Sequence, residues 1–242
     1  MPGGSKGNCC LVRHRDTTLV IDCGGTKRYL SECFQALRFD VERADALLVT
    51  HTHKDHVAQI NSFRHLPAYA WAKLDRRQQC VEPFETFWIK DIRVQVLPLS
   101  HDADHTVGFV LEGDGEKLVY VTDTGYVRND VKERICNADY YVFESNHDVE
   151  MLMQTNRPIY IKQRIINDYG HLNNEDSAQI LSEVIGDHTK EIVLAHISQE
   201  GNTRAQAAGV LEQTLGRRGF LHEGLRLYPA QQFGIHCFGN KE

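Results

Sequence analysis

Three histidines and an aspartate fall within His51-Thr52-His53-Lys54-Asp55-His56, immediately after the apolar run Ala46-Leu47-Leu48-Val49. Residue types and spacing predict a metal-ligand cluster at the end of a buried strand. On an extended segment, residues i and i+2 project to the same side, so the rings of His51 and His53 can reach one cation. Asp55 and His56 come from the following turn and can address a second. The competing reading is a solvated histidine-rich loop. Against it stand three further ligand-type residues, each placed after an apolar run and before a turn. His101 follows Leu97-Pro98-Leu99-Ser100, Asp123 follows Leu118-Val119-Tyr120-Val121-Thr122, and His196 follows Ile192-Val193-Leu194-Ala195. Any one alone would be an ordinary strand-end residue. Together they supply five imidazoles and two carboxylates, which suits a dinuclear centre. His51, His53 and His101 would take one ion, Asp55, His56 and His196 the other, with Asp123 between them. A nitrogen-rich, thiolate-free shell favours zinc, with manganese or iron(II) as alternatives because two oxygen ligands are present.

Positioning such a centre requires strands that end together. Cys10 to His14 and Thr18 to Asp22 read as a starting hairpin, Ala46 to Thr50 as a strand, and Val81 to Val121 as several antiparallel strands with a turn at Gly113-Asp114-Gly115. A helix is expected from Ser31, as N-cap, to Leu37, and another from His56 to Phe63 beside the metal loop. The second half alternates strand and helix: Tyr140 to Phe143, Asn174 to Ile185, Ile192 to Ala195, Thr203 to Leu215. No linker rich in Pro, Ser or Gly separates the halves. The predicted architecture is an α/β (α+β) four-layer αββα sandwich, with residues 1–242 as one domain.

The bulk properties fit a soluble enzyme: 242 residues, 41% hydrophobic and 25% charged, with a mean hydropathy of −0.42. No apolar stretch approaches the roughly 20 residues needed to span a bilayer, and Met1 to Gly7 lacks the apolar core of a secretory signal. A cytoplasmic location without membrane association is expected. Seven cysteines without a C-x-x-C pair suit neither a disulfide framework nor a zinc ribbon, and read as mostly buried apolar residues. A net charge of −6 argues against a surface made throughout for polyanions, though not against a local basic groove.

The loop, His101, Thr122-Asp123-Thr124-Gly125 and Leu194-Ala195-His196-Ile197-Ser198 resemble the ordered motifs of metallo-β-lactamase-fold hydrolases. Gly4-Ser5-Lys6-Gly7-Asn8, Ser100-His101-Asp102-Ala103, Glu144 to Leu152, Ile161-Lys162-Gln163-Arg164-Ile165 and Gly170-His171-Leu172-Asn173-Asn174 are further similar to the WalJ/YycJ family across nearly the whole chain. Two departures are His105, where proline or a small residue is expected, and Cys9-Cys10 after Asn8. His101 remains the ligand because it is closest to its strand end. The resemblance implies an αββα sandwich and a metal-dependent phosphodiesterase that acts on DNA as a 5′-to-3′ exonuclease. It also nominates His171 as proton donor to the leaving oxygen, the other reading being a helix-capping or positioning residue.

The chemistry follows from charge. Phosphodiester oxygens repel a nucleophile, so two divalent ions must neutralise them and lower the pKa of a bridging water to ~7. Asp55 would then both ligate and accept the water's proton. Asn146 and His147 follow a strand end and read equally as substrate contacts or as part of a helix start. Lys162 and Arg164 alternate on a segment read as extended, and face either a nucleic-acid backbone or solvent. Trp71, Trp88, Phe84 and Phe87 read as core aromatics. Alternatives to the nuclease are a hydrolase of a small cyclic phosphodiester, thioester or lactone, and a metal-binding regulatory protein. The third needs neither an open water position nor a donor. The chain is too short for an added β-CASP-like domain to grip RNA.

Overall fold

The computed structural model of the protein describes residues 3–4 and 7–239, so Ser5 and Lys6 of the Gly4 to Asn8 stretch lie outside the described residues, as do residues 1–2 and 240–242. A short pair, β1 (Gly3–Gly4) and β2 (Gly7–Asn8), precedes a five-stranded sheet. That sheet contains β3 (Cys10–His14), β4 (Thr17–Ile21), β5 (Ala46–Val49), β6 (Ala68–Ala70) and β7 (Gln79–Cys80) in order, parallel except for the β3–β4 hairpin. Helices α1 (Lys27–Ala36) and α2 (Lys54–Val57) follow β4 and β5.

The seven-stranded sheet holds β8 (Thr86–Ile89), β9 (Ile92–Pro98), β10 (Val107–Gly113), β11 (Glu116–Val121), β12 (Tyr140–Glu144), β13 (Glu191–Ala195) and β14 (Arg226–Pro229) in sequence order. β8 to β11 are antiparallel neighbours and β11 to β14 parallel ones. The helices are α3 (Asn129–Ile135), α4 (Val149–Gln154), α5 (Ile159–Ile166), α6 (Asn174–Val184) and α7 (Arg204–Arg218).

Alternation along the strands sorts side chains into three apolar layers. Leu19, Ile21 and Leu48 meet Val94, Val96, Phe109 and Tyr120 between the sheets. Val20, Leu47 and Val49 face outward onto Leu30 and Cys33 of α1. Val119, Val121, Tyr141 and Phe143 face the other way, onto Val131, Leu181 and Leu211 of α3, α6 and α7. Both faces of each sheet are covered, which explains why β5 and residues Tyr140 to Phe143 of β12 are apolar without a break, each large side chain contributing about 1.5–3 kcal/mol on burial. This is the αββα sandwich expected from the sequence.

Four local expectations change. Helix α1 begins four residues before Ser31, because Thr26 caps it by accepting the Tyr29 amide at 3.2 Å, and that start puts Leu30 and Cys33 on one buried face. The helix expected from His56 to Phe63 is instead the one-turn α2 followed by a 3-10 turn at Ile60–Phe63. Ile159–Ile166 is helical, so Lys162 and Arg164 do not alternate along a strand. Trp88 is 64% exposed: in edge strand β8 the two-residue period turns Phe87 and Ile89 inward and leaves Thr86 and Trp88 outward. Among the described residues no helix is long and apolar enough to cross a membrane.

Candidate metal centre

Because β10 is antiparallel to both neighbours, β9 runs with β11, β12 and β13, and all four end at one edge of the large sheet. In the small sheet β4 and β5 likewise run together. The Val107 amide donates to the Thr50 carbonyl at 3.0 Å and ties the two edges together. Asp22, Asp123 and His196 lie just beyond β4, β11 and β13, and each has positive φ: 59°, 60° and 57°. A left-handed residue at a strand end is costly for non-glycine residues, and here it recurs where the chain turns side chains toward one point.

The structure brings together all seven ligands expected from the sequence. His51, His53 and His101 form one group, with ring centroids 4.7, 5.2 and 5.1 Å apart. Asp55, His56 and His196 form another. Asp123 touches both, its carboxylate oxygens lying 3.2 Å from His56 Nε2, 3.4 Å from His196 Nε2 and 3.9 Å from His101 Nε2. His105, the extra histidine near the first group, instead packs edge-on against Trp71.

Ring orientation is fixed from behind. The Nδ1 atoms of His51, His56, His101 and His196 lie 3.1, 2.8, 3.1 and 2.7 Å from Thr50 Oγ1, Asp22 Oδ2, the Gly170 carbonyl and Glu144 Oε1. Each is thereby left presenting Nε2 to the centre. Imidazoles backed in this way, two by carboxylates and two by a hydroxyl and a carbonyl, are typical of metal ligands, because the backing group sets the tautomer and raises basicity. His53 differs, with its Nδ1 3.3 Å from His101 Nε2.

Charge and hydrogen bonding both fit a cation. His51 Nε2, Asp123 Oδ2 and His196 Nε2 are buried yet lack a hydrogen-bond partner. Such atoms are costly unless something binds them. Burial alone would neutralise Asp123, but His196 and His56 outweigh it and hold the carboxyl well below the usual carboxylate range. Burial likewise opposes ionised Glu144, yet His171 and His196 hold its pKa down at about 2. Burial also opposes charge on His196, but Asp123 and Glu144 raise it to about 9. Burial and the neighbouring His56 push His51 strongly down, which leaves a neutral ring with a free lone pair. Buried anionic charge facing unpartnered imidazole nitrogens is the donor set of a divalent-metal site.

Three contributors escaped the sequence reading. Asp22 and Glu144 are fully buried carboxylates at strand ends, a signal that also marks Asp123. Asn8, on β2, places its amide nitrogen 2.8 Å from His56 Nε2 and 3.5 Å from Asp55 Oδ2. The amide and a cation are alternative partners for that His56 lone pair. His171 lies beside the ligands, its Nδ1 2.9 Å from Glu144 Oε1.

The residues expected to contact substrate are buried or have protein partners of their own. Asn146 is buried and donates to the His196 carbonyl at 2.9 Å, so it braces a candidate ligand. His147 is buried with neither ring nitrogen partnered, and Asp148 beside it caps α4 by accepting the Met151 amide at 2.8 Å. Lys162 buries its stem and gives its ammonium to the Met153 and Thr155 carbonyls, at 2.6 and 2.8 Å, at the end of α4. Only Arg164 reaches the rim. It pairs with Asp102, whose Oδ1 lies 3.3 Å from His101 Nε2.

Gly24 packs against the metal loop so closely that a Cβ would lie 1.6 Å from the Asp55 carbonyl oxygen. Backbone cannot swing aside, so Gly24→Ala is expected to displace Asp55 and His56. A shift of about 1 Å in such a site costs on the order of 10²-fold in activity. DNA hydrolysis and metal titration of the variant check this, and wild-type values of both would refute it.

The chain matches the Beta-lactamase superfamily domain over residues 17–197. It is 34% identical over 235 residues to exodeoxyribonuclease YycJ of Bacillus anthracis, covering 91% of this chain and 89% of that protein. It is 32% identical over 224 residues to exodeoxyribonuclease WalJ of Streptococcus pneumoniae serotype 2, covering 86% and 83%. Among solved structures it superposes on the metallo-β-lactamase fold protein YhfI of Bacillus subtilis with a TM-score of 0.70 at 17% identity, covering 94% of this chain and 90% of that one.

Proposed function

The chain belongs to the β-lactamase superfamily and, within it, to the family of the YycJ and WalJ exodeoxyribonucleases, and on that premise we propose that it is a metal-dependent phosphodiesterase that degrades duplex DNA as a 5′-to-3′ exonuclease. The observation that carries the reading is the pair of three-ligand groups joined by Asp123, with unpartnered nitrogen and oxygen atoms turned inward. His51, His53 and His101 would hold one divalent ion, Asp55, His56 and His196 the second, and Asp123 both. The donor set, five imidazoles and two carboxylates without a thiolate, favours zinc, with manganese or iron(II) as alternatives. When bound, the ions neutralise the phosphoryl oxygens and make water acidic enough to supply a nucleophile near neutral pH.

The protein's residues handle the protons. Asp55, partly exposed at the centre, accepts the proton of the attacking water. Glu144 accepts from His171 Nδ1–H, so that the imidazolium form of the ring gives its Nε2 proton to the leaving oxygen and remains as the neutral Nδ1–H imidazole. Such general-acid help is worth ~10²- to 10⁴-fold. His171→Ala is therefore expected to lower kcat by that factor while bound metal stays near the wild-type amount. Loss of metal in step with activity would instead mark His171 as structural. Arg164, held on Asp102 beside His101, is the cation available to a neighbouring backbone phosphate.

The test is incubation of the metal-loaded protein with duplex DNA labelled at the 5′ or the 3′ end, beside a chromogenic phosphodiester and a thioester. The expected result is stepwise shortening from the 5′ end with zinc or manganese, absent in Asp55→Ala. Intact DNA alongside cleavage of a small ester would refute the nuclease reading.

A further inference from the structure

Resting on the nuclease reading above, we propose that Tyr126, Tyr160 and Tyr169 form a stacking rim for unpaired bases beside the scissile phosphate, so that the end of a DNA strand must be separated from its complement to be cut. The three side chains are 50%, 66% and 63% exposed, and each belongs to a segment tied to the metal centre. Tyr126 lies three residues beyond Asp123, and the Gly125 amide before it donates to the Ser100 carbonyl, next to His101, at 2.9 Å. Tyr169 lies two residues before His171, and the intervening Gly170 carbonyl holds His101 Nδ1 at 3.1 Å.

These two segments touch. A Cβ on Gly125 would lie 2.4 Å from the Asn167 carbonyl oxygen and 2.7 Å from that of Asp168. Tyr126 and Tyr169 therefore occupy neighbouring positions on one side of the site. Tyr160 is four residues before Arg164 on α5 and shares its helix face. Arg164 in turn is anchored on Asp102 beside His101. Three tyrosines and a guanidinium thus stand on segments that converge on the His101 side of the centre.

Exposed aromatic rings beside a cation are the equipment with which proteins hold single strands, because every base has a face to stack. Charge supports the same occupant. A chain of net charge −6 is poorly equipped to hold DNA by phosphate contacts alone. Stacking does not depend on that balance. Inside a duplex a paired base presents only its edges to the grooves, and a blunt end leaves just the outer face of its last pair open, so several rings can each find a base face only after the terminal pairs have opened.

The test uses the full-length, metal-loaded protein and 5′-labelled duplexes of one sequence. In one series the terminal base pairs are matched, in a second mismatched, and in a third the terminal nucleotides of the cleaved strand are abasic. Mismatched ends are expected to be cut on the order of 10-fold faster than matched ones. Tyr126→Ala and Tyr169→Ala should each lower kcat/KM on mismatched ends by roughly 10-fold, and the corresponding phenylalanine variants should restore it. On abasic ends wild type and alanine variants should coincide, a pattern that a merely structural tyrosine would not produce. Equal rates on matched and mismatched ends, or an alanine defect that persists on abasic ends, overturns the stacking rim and leaves the nuclease intact. If the wild type cuts none of these substrates with zinc or manganese, the nuclease reading itself fails.

Discussion

Asp123→Asn is expected to release both metal ions while leaving the fold in place. Asparagine tolerates the left-handed backbone that Asp123 adopts at φ 60°, so shape and volume persist and only the charge goes. That charge sits within 3.9 Å of imidazole nitrogens from both ligand groups, and the residue is 2% exposed. Removing one partner of a buried charge pair costs about 3–5 kcal/mol, which corresponds to roughly 10²- to 10⁴-fold weaker metal binding. Because the same carboxylate serves both positions, hydrolysis should fall below the level left by His171→Ala. Metal titration and DNA hydrolysis measured on one preparation check this. Undiminished binding of either ion would show that Asp123 is not shared.

The largest loss of stability is expected from Glu144→Ala. Glu144 is fully buried and accepts from four directions: His171 Nδ1 at 2.9 Å, His196 Nδ1 at 2.7 Å, and the Thr124 and Leu172 amides at 2.8 and 3.3 Å. Truncation leaves all four without their acceptor and opens a polar hole at the end of β12. Breaking such a buried charged network costs about 3–5 kcal/mol, and at ~2–4 °C per kcal/mol for a chain of this size Tm should fall by roughly 6–20 °C. Glu144→Gln separates orientation from bulk. It keeps the volume but loses the charge that aligns His171 and His196, and is expected to cost ~10- to 100-fold in metal affinity or activity with a smaller loss of Tm. A wild-type Tm in Glu144→Ala would contradict the bracing role.

Both carboxylates illustrate what a sequence discloses. Asp123 was legible because a charged residue after Leu118 to Thr122 is conspicuous and the His51 to His56 loop had already called for more ligands. Asp22 and Glu144 carry the same strand-end signature. Their role, however, depends on which ring lies behind which strand, and that is set by the pairing of β4 with β5 and of β12 with β13. Asn8 was hidden more deeply, since only the fold brings β2 against the loop 47 residues away. Burial separates two polar residues from the reading that their types suggest. Lys162 looks like a phosphate contact until its stem is seen to be covered and its ammonium spent on the end of α4. Asn146 looks like a substrate contact until it is found under His196. The sandwich itself was readable because alternating and unbroken apolar runs directly encode covered sheet faces. Helix starts were less so, since Thr26 and Ser31 are both acceptable caps and only packing of Leu30 and Cys33 chooses between them.

The central claim is that two ligand groups sharing Asp123 hold two divalent ions. Its most direct test is equilibrium binding of zinc to the metal-stripped full-length protein, with bound metal counted per chain. Saturation at two ions per chain, falling steeply in Asp123→Asn, is the predicted result. Saturation at one ion, or a stoichiometry and affinity unchanged by Asp123→Asn, would contradict it.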